Sequence, residues 1–338
     1  MTTQNFALEQ SPTSQLRAWV ARAWVFNRLL TLAGLLHLVL IPLLVLAWVL
    51  DPKTILGAPA WIKPLKFALS GGIYCLTFIW LLTYVQGWPR LVKFAANATG
   101  FALLLETILI ILQVERGTTS HFNVSTALDS AIFSTMGMFI VLVAMLNLLI
   151  ALRLTWQHLP DPVFAWGLRL GILISFVGML EAGFMVGGPT PMQRAELQAG
   201  KPFTAIGAHS VGVEDGGPGL PLVGWSTVGG DLRVPHFFGL HGMQLLPFVG
   251  WLLTRARARR LLTQKQRLAL VWTTGLGYLC LVGILTWQAL RGQSVVAPDG
   301  ATWGALGTLI IGTLLIFIAI ATRMQRNQAE LVYTSVNS

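Results

Sequence analysis

Charged residues are scarce in this sequence of 338 residues. Only 11% of the side chains are charged, whereas 54% are hydrophobic and the mean hydropathy is +0.68. A soluble protein has too little core to hide so large an apolar fraction from water. The composition therefore excludes a soluble globular domain. Because apolar runs of about 20 residues match the thickness of a bilayer, we predict an all-α, polytopic membrane protein whose main partner is the lipid bilayer.

Acidic residues are fewer than basic ones, 13 against 23, which gives a net charge of +10. The basic residues stand at the ends of apolar runs rather than in one patch, so we predict no nucleic-acid partner. Cysteine is also rare. Its two copies, Cys75 and Cys280, lie inside apolar runs, where cysteine commonly serves as a small hydrophobe. The N-terminal stretch lacks a basic region directly before a short apolar core, so no cleavable signal is predicted.

Eight apolar runs are long enough to cross a bilayer. They lie at about 26–50, 61–85, 94–114, 126–152, 162–186, 233–254, 268–290 and 302–322. Residues 1–25 are predicted to form a tail and a basic interfacial helix, and 323–338 a cytoplasmic tail. The long connection 187–232 is rich in glycine and proline and indicates an extracytoplasmic lid, binding loop or disordered link. Arginine and lysine gather at alternate ends of the runs, which predicts cytoplasmic termini in a plasma or inner membrane.

Two pairs of segments indicate an internal repeat. Ile62–Thr83 and Arg233–Thr254 share a proline, a glycine and a final Trp-Leu-Leu-Thr when their numbers differ by 171. The ends of the next runs share Gln-x-x-Arg-Gly at a difference of 175. These matches favour a duplicated four-helix unit, at 26–153 and 154–322, over chance similarity among leucine-rich helices. An even number of runs per unit keeps both copies in the same orientation.

Polar residues collect near the predicted outer face. Ionisable groups inside a bilayer are costly and normally face a protein interior with partners. The residues concerned are Lys63, Lys66, Glu115, Arg116, His121, Asp231, Arg233, His236, His241 and Gln244. The two halves carry different members of this set, so we predict one site built across both. Glu106, in the middle of its run, predicts a buried pair or a proton relay.

Three interpretations of this set stay open. In the first, the groups are structural: the lysines pair with Glu106 or Glu181, and the histidines form hydrogen bonds between helices. In the second, which we narrowly prefer, the protein is a membrane oxidoreductase. Its haem or transition metal is held by His121 and His241, with His236 as third ligand, because imidazole is a common ligand of both. Catalytic or substrate-orienting roles then fall to Glu115, Asp231 and Arg233, and a zinc hydrolase is a variant of this interpretation.

In the third interpretation, the chain transports a small anionic or amphipathic solute. Glycine-interrupted runs at matching positions of two repeats are typical of transport sites. The substrate-binding residues would be Lys63, Lys66, Arg116 and Gln244. The five-residue spacing of His236 and His241 turns them about 140° apart on a helix, so they do not form a two-histidine metal clip.

Two four-helix units with histidines near the outer leaflet resemble haem A synthases in general layout. This sequence has no Glu-x-x-His-Arg element. The similarity therefore concerns layout alone and carries over no residue.

Overall fold

The structure, a computed structural model, describes the backbone of residues 12–336 and the side chains of 13–320 and 322. Helices dominate it, and two short β pairs lie in the connections. The helices are α1 (Pro12–Phe26), α2 (Arg28–Leu50), α3 (Ile62–Leu82), α4 (Pro89–Glu115), α5 (Ala127–Trp156), α6 (Pro162–Met185), α7 (Pro191–Gln198), α8 (Arg233–Thr254), α9 (Ala256–Leu261), α10 (Gln264–Leu290) and α11 (Gly300–Val336). The strands are β1 (Thr54–Ile55), β2 (Ala58–Pro59), β3 (Ser210–Val211) and β4 (Gly230–Asp231).

Eight of the described helices are long and apolar enough to cross a membrane. They are α2, α3, α4, α5, α6, α8, α10 and α11. The prediction of a multi-pass helical membrane protein is confirmed to this extent. The apolar surfaces of these helices suit contact with a bilayer.

Most predicted helix ends agree with the structure, and the exceptions have local causes. α4 begins at Pro89, earlier than expected, because the first turn of a helix tolerates proline. α10 begins at Gln264, where Thr263 and Gln266 form a capping box. α11 continues to Val336 instead of ending near 322, since no glycine or proline follows Gly312. The predicted lead at residues 1–11 and the side chains of the C-terminal tail lie outside the described residues.

The long connection 187–232 is folded rather than a plain link. A capping box at Thr190 starts α7, and β3 pairs antiparallel with β4. The connection also pairs with the segment between α4 and α5, since the N–H of Val124 donates to the carbonyl of Thr204 and the N–H of Ile206 donates to that of Phe122. These bonds hold the loop over one end of the bundle.

The connections gather at two opposite ends. At the first, called the loop end, segments 51–61, 116–126, 187–232 and 291–299 all contribute to one cleft. At the second, called the basic end, Arg153 donates to the carbonyl of Gln86 and Arg259 pairs with Asp161. Helices that cross a membrane in alternating directions require their connections to be divided between two ends in this way. The assignment of the basic end to the cytoplasm stays a prediction from the charges.

Helix pairing is the same in both halves. In the first, α2 packs on α3 and α4, and α4 packs on α5. In the second, α6 packs on α8 and α10, and α10 packs on α11. The tightest pair is α6 with α8, where a Cβ on Gly178 would overlap the backbone of Gly239 and Leu240. Small residues allow this approach, and dispersion contacts then hold the helices together.

Candidate functional site

The segment between α4 and α5 places the side chain of His121 in contact with that of Glu106. Nε2 of His121 lies 3.3 Å from Oε1 of Glu106, and Nδ1 lies 3.1 Å from Oγ of Ser120. The Glu106 carboxyl is buried, with 3% of its side chain exposed, and its Oε2 has no hydrogen-bond partner among the described residues. Burial lowers the pKa of His121 and the positive charge of Lys63 lowers it further, while the hydrogen bond to Glu106 opposes them. The imidazole is therefore neutral at neutral pH and able to accept a proton.

Two lysines begin α3 at the same end of the bundle. The Nζ of Lys66 donates to the carbonyl oxygen of Val223 in the long loop, at 3.0 Å. Lys63 is half-buried and makes no hydrogen bond or ion pair with the described residues. It lies within electrostatic range of Lys66 and of the Glu106 carboxylate. Among the described residues no carboxylate lies within ion-pair distance of the Lys63 ammonium, so Glu106 offsets its charge only from further away, and an anion in direct contact would be favoured.

Arg233, at the start of α8, is already neutralised. Its guanidinium meets the buried carboxylate of Asp231 through two hydrogen bonds, Nε to Oδ1 at 2.9 Å and Nη2 to Oδ2 at 2.5 Å. The same Nη2 also donates to the carbonyl of Gly224. Such a two-point bond fixes both groups. The predicted catalytic residues Asp231 and Arg233 thus join the long loop to α8.

A histidine and carboxylate in the long loop, His209 and Asp215, were missed by the sequence analysis. Nδ1 of His209 and Oδ2 of Asp215 are 2.8 Å apart, and the Phe122 ring lies against the imidazole with centroids 4.7 Å apart. Burial lowers the pKa of His209 to about 4, although Asp215 opposes this and the charges of Arg233 and Lys63 add to it. The sequence did offer one sign of this pair, since His209 and Asp215 are two ionisable residues only six positions apart in a glycine-rich loop. Only the pairing of that loop with 122–124 places them at the site.

Phe122 adopts a left-handed backbone conformation, with φ of 64°. A residue with a Cβ costs about 1–2 kcal/mol there, and such residues cluster at functional sites. The strained residue lies between His121 and the His209 ring. Packing on both sides holds the strained segment in place.

Other predicted residues have contacts elsewhere. Arg116 pairs with the buried Asp129 at the start of α5, at 2.6 Å, and also donates to Gln113. Glu115 is exposed and reaches Lys53 only at 4.0 Å. The Nε2 of Gln244 donates to Oγ1 of Thr77 at 3.2 Å, which links α8 to α3 across the two halves.

The two histidines of α8 point in different directions, as their spacing predicts. Nδ1 of His236 lies 2.6 Å from the carbonyl oxygen of Gly178, within the α6–α8 interface. The His241 ring lies against Phe237 in a tilted arrangement, with centroids 4.3 Å apart, and Phe237 in turn contacts Trp225 of the long loop edge to face. Among the side chains that the structure describes, no three His, Cys, Asp or Glu residues gather closely enough to hold a metal ion. The metal and haem roles of His121, His236 and His241 stay predictions.

A cleft of about 1440 Å³ opens at the loop end. His121 and Asp215 form part of its wall, together with apolar side chains such as Phe184, Met185 and Leu290. Lys63 is not among the residues that line the cleft, although its ammonium lies within electrostatic range of Asp215. Comparisons with protein-family models, curated proteins and solved structures found no match to this chain.

Proposed function

We propose that this chain is a membrane carrier for a small anionic solute, which it binds at the loop end with Lys63 and Lys66 as the anion contacts. The observation that carries the proposal is the half-buried ammonium of Lys63, which has no partner among the described residues. The nearby carboxylates are engaged: Asp231 by Arg233, Asp215 by His209, and one oxygen of Glu106 by His121. A carboxylate, phosphate or sulfate group would give Lys63 its counter-ion.

The apolar part of the cleft wall supports ligands that also carry a short alkyl chain. Phosphate and hexyl phosphate carry the same headgroup, so the difference between their affinities measures the contribution of the alkyl chain. If apolar contact adds to binding, hexyl phosphate binds more tightly, by about tenfold for each 1.4 kcal/mol of free energy that burial of its alkyl chain contributes. Equal affinity for the two would restrict the ligand to the headgroup.

Binding is measured by calorimetry on detergent-purified protein with acetate, phosphate, sulfate and hexyl phosphate. Lys63→Met is expected to weaken the best binder by about tenfold or more, because a charged hydrogen bond to the anion is lost. Lys201→Met is the matched control, since Lys201 is an exposed lysine that pairs with Glu196. The proposal fails if no anion binds or if Lys63→Met binds like wild type. Uptake of the labelled anion into proteoliposomes then separates carriage from binding alone.

A second candidate keeps the predicted cofactor. The Nδ1 contact of His236 with a backbone carbonyl is the arrangement that commonly orients a metal-bound imidazole and leaves Nε2 for the metal. Under this candidate the chain is a haem- or metal-dependent membrane oxidoreductase with His121, His236 and His241 as ligands. An absorption spectrum and metal analysis of purified protein test it. A Soret band that His241→Ala removes would support it, and a metal-free, colourless preparation would count against it.

The same proposal includes the duplicated architecture and a multi-pass position in the plasma or inner membrane with both termini in the cytoplasm. The bounds of the helices support the duplicated architecture. α3 and α8 begin at residues that differ by 171, and α4 and α10 both begin and end at residues that differ by 175. Cysteine accessibility from either side of sealed vesicles tests the orientation, with single cysteines placed in the long loop and in 255–263.

A further inference from the structure

The connection between α8 and α10 carries the densest positive charge of the chain. Residues 255–267 include six basic side chains and no acidic one, namely Arg255, Arg257, Arg259, Arg260, Lys265 and Arg267. Asp161, which caps the start of α6, pairs with Arg259 at 2.8 Å. The other five form no ion pair with the described residues. Charge that is so poorly balanced within the protein favours an anionic partner.

Two other arginines at the basic end show how the fold uses a guanidinium for a structural purpose. Arg153 donates to the carbonyl of Gln86 at 2.9 Å. Arg169 donates to the carbonyls of Leu154 and Gln157, at 2.9 and 2.7 Å. Carbonyls at helix ends lack intrahelical partners, and these arginines satisfy them.

Arg257 and Arg260 make no such contact. Both are exposed, and neither side chain donates a hydrogen bond to the described residues. They are three positions apart on α9, so they share one side of it, whereas Arg259 points to Asp161 of α6. A guanidinium can bind a phosphate group through two parallel hydrogen bonds. Two free guanidiniums on one side of a helix therefore suit a partner that carries phosphate.

The end of α8 places these charges at the level of the membrane surface. Phe248, Trp251 and Leu252 are exposed apolar residues in its last two turns. The rings of Phe248 and Trp251 stack with centroids 5.7 Å apart, and the Arg255 guanidinium lies over the Trp251 ring, 4.7 Å from its centroid. Exposed tryptophan is typical of the boundary between acyl chains and headgroups. A lipid beside α8 would bring its acyl chain onto these rings and its headgroup to the arginines.

The matching helix end of the first half is built differently. α3 leads into the same Trp-Leu-Leu-Thr, but Tyr84 stands where Arg255 follows α8. The Trp80 ring contacts Tyr84 and Phe164 of α6, with centroids 5.3 and 6.1 Å apart, so protein covers part of it. The connection 83–88 contains no basic residue. The scaffold therefore does not require α9 or its charges, which are an addition in the second half.

We propose that α9 and the exposed end of α8 bind an anionic phospholipid, with Arg257 and Arg260 on its phosphate and Trp251 against its upper acyl chain. A phospholipid is favoured over a soluble anion because the charges adjoin an exposed apolar stripe at headgroup level. Lys63 and the cleft lie at the opposite end of the bundle, so this lipid site does not depend on the proposed function.

Native mass spectrometry of the detergent-purified chain tests the headgroup preference with dioleoyl phosphatidylglycerol and dioleoyl phosphatidylcholine. The two lipids have the same acyl chains and differ in headgroup charge. Wild type should retain phosphatidylglycerol more strongly. Arg257→Gln combined with Arg260→Gln should weaken that retention by about tenfold or more, because each basic residue near the headgroups adds to the attraction. Retention of phosphatidylcholine should not change.

The matched control is Arg90→Gln combined with Lys93→Gln, which also removes two exposed charges from the basic end. It should leave the retention of phosphatidylglycerol close to that of wild type. Equal retention of the two lipids by wild type, or an equal loss in both double variants, would overturn the proposal. Excess inorganic phosphate should not displace the lipid. Displacement would assign the arginines to a soluble anion instead.

The position of the lipid has a separate readout. Phosphatidylglycerol brominated in the upper part of its acyl chains should quench the emission of Trp251, which is obtained in each background as the difference made by Trp251→Phe. This quenching should fall when Arg257 and Arg260 are replaced, whereas brominated phosphatidylcholine should quench both proteins alike. If the two brominated lipids quench Trp251 equally in wild type, the ring contacts bulk lipid only and the proposed site is wrong.

Discussion

The two halves use one helix pairing in two ways. In the second half, α6 and α8 approach through Gly178 and Gly239 until their backbones touch. In the first half, the matching groove between α2 and α3 holds a side chain: a Cβ on Gly71 would lie 2.7 Å from Nε2 of His37. At the matching position Gly242 faces Ile174. At this helix pairing, therefore, the second half brings backbones into contact, whereas the first half makes room for an imidazole.

The same contrast appears at the ends of α4 and α10. An arginine follows each helix and pairs with an acidic residue near the start of the next one. The first pair, Arg116 with Asp129, has a carboxylate only 3% exposed, whereas the carboxylate of the second, Arg291 with Asp299, is 40% exposed. At these matching helix ends, therefore, the buried carboxylate belongs to the first half and the exposed one to the second.

The largest effect is expected from filling the close-packed groove. Gly178→Leu would place a side chain into the backbone of Gly239, so α6 and α8 must separate. Overpacking of this kind costs about 3 kcal/mol or more, and the folded protein should be lost. The measurement is the temperature at which detergent-solubilised protein stops eluting as a single species. Gly183→Leu is the control on the same helix, since a Cβ there meets nothing within 4 Å. Similar losses for both variants would contradict the close-packing account.

The second-largest effect is expected at the buried pair of Arg116 with Asp129, which should lose more stability than the exposed pair of Arg291 with Asp299 when the carboxylate is removed. Asp129→Asn removes the charge that Arg116 needs and mismatches hydrogen bonds from Gln113, Ser125 and Thr126. Breaking a buried pair costs up to about 3–5 kcal/mol, and about 2–3 is expected here because Arg116 is partly exposed. Asp299→Asn should change stability far less, as exposed pairs do. Equal losses of thermal stability would erase this difference between the halves.

A smaller effect is expected from pH at the loop end. Because the folded-state pKa of His209 lies near 4, below the unfolded value of about 6.5, the folded loop loses stability as pH falls through this interval. Burial alone would raise the pKa of Asp215, but His209 and two backbone N–H groups hold it well below its usual range. Its contribution is present above about pH 4 and falls away at lower pH.

Hydrogen exchange or limited proteolysis of 187–232 at decreasing pH follows this opening. His209→Gln should flatten the dependence between about pH 6.5 and 4, since the glutamine amide does not titrate there. A profile that keeps its wild-type shape in this variant would assign the dependence to another group.

The smallest effect is expected where the halves meet. Gln244 bonds Thr77 across the boundary, yet its Oε1 has no partner among the described residues. Gln244→Leu removes one hydrogen bond and one orphan oxygen, so stability should change by less than about 1 kcal/mol. A thermal loss comparable to that of Asp129→Asn would mean that this contact joins the halves more strongly than its geometry indicates.

The number of membrane-length helices and most of their ends could be predicted, because an apolar run of bilayer length has few alternatives. Polar residues such as Lys63 and Arg233 were also predictable as a set at one end. His209 and Asp215 were not, since their position depends on pairing between the long loop and residues 122–124. The lack of a hydrogen-bond partner for Oε2 of Glu106 among the described residues could not be predicted either, because the partners of a buried atom come from residues that are distant in sequence.

The amino-acid sequence was enough to predict a helical membrane protein and the approximate bounds of its long helices, because hydropathy and run length act locally. The starts of α4 at Pro89 and α10 at Gln264 came from the structure. The folded arrangement was needed to show which polar groups have partners, which helix pair packs most closely and which loop covers the site. Those outcomes depend on contacts between helices and loops, and such contacts exist only once the whole bundle has packed.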